Sequence, residues 1–179
     1  MNRQQRRSKT KKSNGHQIDK AAAWYAIQAK IYSASTDPHT EGETIEVLQT
    51  VYPAMLRLSK GLFDLADFKQ MSLINAFGYE LTGSIFQAGD DETKQAVRQG
   101  HEIFMSCADA LVQMGERYNK RGKFGATGDE LQALRSMISF VEQVMNVATR
   151  GLVLSALVRA EASVKKAEKA SLMSKKEVH

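Results

Sequence analysis

The sequence predicts an all-α protein: a single up-and-down bundle of about five helices, with a disordered basic N-terminal arm and a long C-terminal spine helix. Three observations predict it. Apolar residues recur every three or four positions along most of the chain, the spacing that stacks side chains on one helix face. No stretch alternates with the two-residue period of a strand. The 179 residues include only 2 prolines and are 42% hydrophobic, enough to fill a core in a chain of this length.

Residues 1–16 read as the arm. Arg3, Arg6, Arg7, Lys9, Lys11 and Lys12 stand there without an acidic neighbour, a composition with too little apolar surface to fold. The bundle domain is expected over 17–160, and a polar, basic helical extension and tail over 161–179. A first helix is expected from about Gln17 to Ser33, with Trp24, Ile27 and Ile31 on one face. Asp37-Pro38 marks a loop. Thr40 followed by Glu43 is a capping-box signature and opens a helix carrying Ile45, Leu48, Val51, Met55 and Leu58. Pro53 should break that helix near Tyr52, because proline removes a donor and restricts the residue before it.

Gly61 marks the next break, and Asp64 is the expected cap of a helix reaching about Gln87 through Leu65, Phe68, Ile74, Phe77, Leu81 and Ile85. Ala88-Gly89-Asp90 is a turn. The following helix has the seam Val97, Gly100, Phe104, Cys107, Leu111, Met114 and Tyr118, where Gly100 and Gly115 would admit a close neighbour or simply be tolerated. Asn119 to Gly128 reads as a glycine-rich basic loop. Thr127 and Glu130 repeat the capping-box signature and start the spine over Leu131–Val158. Two adjacent apolar rows run along that stretch. One holds Leu134, Ile138, Val141 and Met145, and the other holds Met137, Val144, Val147 and Leu154. A continuous helix of this length would span roughly 40 Å.

Charge is unevenly placed. The first twelve residues carry +6 and residues 165–179 carry +3 of a formal net charge of +5, which leaves the middle at −4. The basic character therefore belongs to the ends. An arm of this kind follows a phosphate backbone and gains affinity by releasing counterions. The loop adds Lys120, Arg121 and Lys123 just before a helix start, where amides and the helix dipole favour an anion. Gly122-Lys123-Phe124-Gly125 matches the GxxG loop of single-strand RNA binders, although the strands of that fold are missing here.

Catalytic and metal signatures are weak. His101-Glu102 would need a second histidine at 105 to bind zinc, and Met105 stands there. Cys107 lies on the apolar seam, as a buried thiol acting as a small hydrophobe does. Asp90, Asp91 and Glu92 lack the alternating pattern of a calcium loop. No cofactor is expected. One cysteine and no long apolar run point to a cytoplasmic, membrane-free setting.

The expectation is a non-enzymatic, nucleic-acid-associated accessory protein, with DNA and RNA left open. The alternative is a helical assembly protein that binds another protein, or a second copy, through a bundle face. Its basic tails would then be solubilising or bind an acidic partner. Size and layout suit a small phage or mobile-element accessory protein under either reading.

Overall fold

A computed structural model describes residues 36–38, 40–88 and 91–174. The expected basic arm, the helix over 17–33, the Gly89-Asp90 turn and the last five residues lie outside them. Among the described residues there are six helices: α1 Glu41–Leu48, α2 Val51–Ser59, α3 Leu65–Ala88, α4 Asp91–Arg121, α5 Gly128–Val147 and α6 Arg150–Ser174. No strand occurs among them, so the all-α expectation holds.

The helix starts follow local chemistry. At Thr40 the hydroxyl accepts from the Glu43 amide, and the Glu43 carboxylate accepts from the Thr40 amide at 2.8 Å. Thr127 and Glu130 repeat the arrangement at α5. Each box satisfies donors that a helix N-terminus otherwise leaves open. Asp64 accepts from the Asp67 amide at 2.9 Å and starts α3. Pro53 lies in the first turn of α2, where its missing N–H costs nothing, and the break precedes it at Gln49 and Thr50. Gly61 follows α2 with φ of 69°, a left-handed geometry that a side chain would disfavour.

One core cluster draws on all six helices, from Leu48 and Val51 through Phe77, Phe104 and Val141 to Ala160. The helix α4 runs back along α3: Phe68 lies at Gly115, and Phe104 lies at Gly78. Cβ atoms at Gly78 and Gly100 would overlap the rings of Phe104 and Phe140. Gly100 thus admits a neighbour as its spacing predicted, and Gly78 does the same within an unbroken α3. The helix α5 packs on both α3 and α4.

The expected spine is not one helix. It ends at Val147, Ala148 is extended with ψ of 154°, and α6 begins at Arg150. Val141 lies beside Gly78, yet Arg159 bonds Glu80 at 2.9 Å and also reaches Ser84. A continuous helix would separate positions 141 and 159 by roughly 27 Å along its axis. The chain has therefore reversed, and α6 returns along α3 in the most extensive pairing among the described helices.

The cause of the break is local on one side and remote on the other. The Thr149 hydroxyl accepts from the Leu152 amide at 3.4 Å and caps α6. The Arg150 amide donates to the Asp37 carbonyl at 3.1 Å, and Pro38 bridges Thr149. Arg150 also pairs with Glu43 at 2.7 Å. The reversal resets the buried face. Val147, expected inside, is 76% exposed, whereas Val153, Ala156 and Ala160 are buried. The apolar side chains that α6 buries are thus one valine and two alanines.

Candidate nucleic-acid interface

Of the candidate phosphate-binding residues, Arg3, Arg6, Arg7, Lys9, Lys11 and Lys12 lie outside the described residues. Lys120, Arg121 and Lys123 lie within them, at the corner between α4 and α5. The expected ten-residue loop is shorter than its composition suggested. Helix α4 continues through Asn119, Lys120 and Arg121, and cations in a last turn are favoured by the helix dipole. Gly122 ends the helix with φ of 69°, its amide donating to the Tyr118 carbonyl at 2.7 Å.

The rest of the corner is packed. The Phe124 ring stacks on Tyr118 at 4.2 Å and on Phe68 at 5.1 Å, and meets Phe63 edge-on at 5.4 Å. Arg117 donates to the Gly125 carbonyl at 2.9 Å and pairs with Glu130. Phe124, the aromatic within the GxxG match, is thus a packing residue that pins the connection.

The helix start behind this corner already holds negative charge. Asp129 and Glu130 occupy the first turn of α5, and Glu130 takes the Thr127 amide at 2.7 Å. Burial alone would raise the Glu130 carboxyl, but hydrogen bonds from Arg117 and Thr127 more than offset it and hold the group below its usual value. The anion expected at this helix terminus is therefore supplied by the protein itself. An external phosphate would meet side-chain cations rather than free amides.

Those cations are accessible. Arg121 and Lys123 are exposed, and Lys120 makes an exposed pair with Glu116 at 3.8 Å, of the kind that water screens heavily. Lys60 is also exposed. It precedes the turn that carries Phe63 onto Phe124, so it belongs to the same end of the fold. Sequence reasoning missed it because nothing local joins position 60 to position 123; only the aromatic cluster does.

Other candidate groups are packed or spread apart. Cys107 is buried, and burial pushes its thiol up to about 12, which keeps it protonated at neutral pH. The His101 ring stacks on Tyr79 at 4.6 Å. Among the described residues, no group of three or more His, Cys, Asp or Glu is placed to hold a metal ion. No helix among them is long and apolar enough to cross a membrane.

The chain matches no protein-family model, no curated protein and no solved structure.

Proposed function

We propose that the protein is a non-enzymatic, nucleic-acid-associated accessory protein. In this reading Arg3, Arg6, Arg7, Lys9, Lys11 and Lys12 supply electrostatic affinity for a phosphate backbone. Lys120, Arg121 and Lys123, joined by Lys60, add a second contact at the α4–α5 corner. The observation that carries the reading is the charge asymmetry: +6 in the first twelve residues against −4 in the middle of the chain. Phosphate contacts of this kind position a protein on nucleic acid without reading sequence.

The test is a salt titration of binding to duplex DNA, single-stranded DNA and structured RNA, with the full chain and with a chain lacking residues 1–12. Each phosphate contact contributes roughly 0.9 to the slope of log affinity against log salt on duplex, and roughly 0.7 on single strands. Loss of four to six contacts should flatten the slope by roughly three to five units. A full chain that binds none of the three at low salt overturns the reading.

A second reading, a helical assembly protein that docks another protein, is favoured by one observation. Ile45, Tyr52 and Leu56 are large apolar side chains exposed on α1 and α2.

A further inference from the structure

Helix α1 is weak on its own. It has eight residues, of which only Thr44 and Leu48 are buried, and an isolated helix of that length is marginal in water. Gly42 and the β-branched Thr44, Ile45 and Val47 lower its propensity further. What holds it is its first turn. The capping box closes on Glu43, and the same carboxylate pairs with Arg150 at 2.7 Å. Just ahead of it, Asp37 and Pro38 are bonded to Arg150 and Thr149.

The start of α6 is weak as well. Helices α1, α3 and α5 each carry an acidic residue in the first turn, and α6 carries none. It has Arg150 there instead, a cation at the positive end of the helix dipole. Its own cap, the Thr149 hydroxyl, makes a long contact of 3.4 Å. The missing acid comes from α1, as Glu43. The Asp37 carbonyl takes the Arg150 amide at 3.1 Å, one of the donors that a helix start leaves open. Each weak end supplies what the other lacks.

Beyond α1 the chain is firmly held. Val51 and Ala54 of α2 are fully buried. Between Leu48 and Val51 stand Gln49 and Thr50, both exposed, and Thr50 makes no side-chain cap bond. These two residues are the natural hinge.

We infer that Asp37, Pro38, Thr40 and α1 form a strap that opens as one unit about Gln49 and Thr50, and that its opening releases the first turn of α6 with it. The body formed by α3, α4 and α5 stays folded, because Phe104 and Val141 meet within it at Gly78. Such coupling is reciprocal. Whatever steadies the strap steadies the α5–α6 reversal, and whatever draws the strap away loosens it. The inference does not rest on nucleic-acid binding.

Local opening is read by native-state hydrogen exchange. The experiment uses the full chain without nucleic acid. It compares the amides of α1, those of Arg150, Leu152 and Val153, and those of α3 to α5. In the parent the first two groups should share one level of protection, well below that of the third. Two variants move the strap in opposite directions. Glu43→Gln keeps an acceptor for the capping box and removes the charge facing Arg150. Exchange should become several-fold faster in α1 and at the α6 start alike. Gly42→Ala meets nothing within 4 Å of the added Cβ, so it strengthens α1 without touching α6. It should slow α1 by roughly two- to fivefold, and slow Arg150, Leu152 and Val153 by the same factor.

Amides of the α6 start that ignore Gly42→Ala while α1 slows overturn the inference, since the two ends then open separately. Equal acceleration of α3, α4 and α5 by Glu43→Gln also overturns it, because the opening is then that of the whole fold. So does a Glu43→Gln chain that exchanges as the parent does.

Discussion

The Phe104 ring lies flush against the α3 backbone at Gly78, and Val141 Cγ2 approaches the same point, 2.7 Å from where a Cβ would stand. Phe104 and Val141 are both buried, so neither can yield cheaply. Overpacking at Gly78→Ala should cost about 3 kcal/mol, more than the gain of about 1 kcal/mol in helix propensity. Gly83, in the same helix, has nothing within 4 Å of an added Cβ. There the substitution to alanine should stabilise by about 0.5–1 kcal/mol. Urea denaturation of both variants reads the two signs; a stabilised Gly78→Ala would mean the helices do not meet there.

The reversal at Ala148 makes a similar contrast. Val141 is fully buried and Val147 is 76% exposed, though both sit on the apolar rows of the sequence. Val141→Asp should cost several kcal/mol, because an unpaired charge enters the core. Val147→Asp should stay within about 0.5 kcal/mol of the parent. Equal losses at both sites would restore a continuous spine.

The α4–α5 corner separates packing from charge. Phe124 is partly buried against three aromatic rings, so Phe124→Ala should lower stability by roughly 2 kcal/mol, below the 3–5 typical of a fully buried phenylalanine. Replacing Lys120, Arg121 and Lys123 together with alanine should barely move the melting temperature, because exposed charges contribute little. It should weaken binding across unrelated nucleic-acid sequences. Unchanged affinity would leave the corner as a connector only.

Acid should erode the fold. A hydrogen bond from Arg57 holds the Asp67 carboxyl below its ordinary value, and the Thr40 amide does the same for Glu43. Glu130 is also lowered. A carboxyl whose folded value is depressed adds stability that is full above the unfolded value, about 3.9 for Asp and 4.3 for Glu. That stability is lost as pH falls through the folded value. Stability should therefore be level from neutral pH to about 5 and then decline. Asp67→Asn should be less stable at pH 7 and show a shallower decline. An identical acid profile would remove the Arg57 pair from the account.

Much of the fold was legible because its signals are local. Thr40 with Glu43, Thr127 with Glu130, and the seam from Gly100 to Tyr118 each carry their evidence within a few residues. The reversal at Ala148 was not. Thr149 caps α6, but Leu152 stands where a capping box would have Glu or Gln, so only half the signature is present. The other half of the cause is the Asp37 carbonyl, which no local pattern links to Arg150. At the candidate interface, composition located Lys120, Arg121 and Lys123. It missed that Phe124 packs inward, that Glu130 already fills the helix terminus, and that Lys60 shares the corner.

The bond between the Asp37 carbonyl and the Arg150 amide also sets an order of events. Positions 37 and 150 are separated by 113 residues. At roughly 5–20 residues per second, a ribosome needs on the order of ten seconds to make the intervening chain. The pairings of α3 with α4 and of α4 with α5 involve neighbours in sequence and can form during that interval. The closure at Arg150 cannot, so it is among the last contacts made. A chain stopped before Arg150 would lack both α6 and the anchor for its own beginning. Fusing short stalled lengths to the ribosome and probing them with protease would show protection of the Asp37 region appearing only once Arg150 has emerged from the exit tunnel.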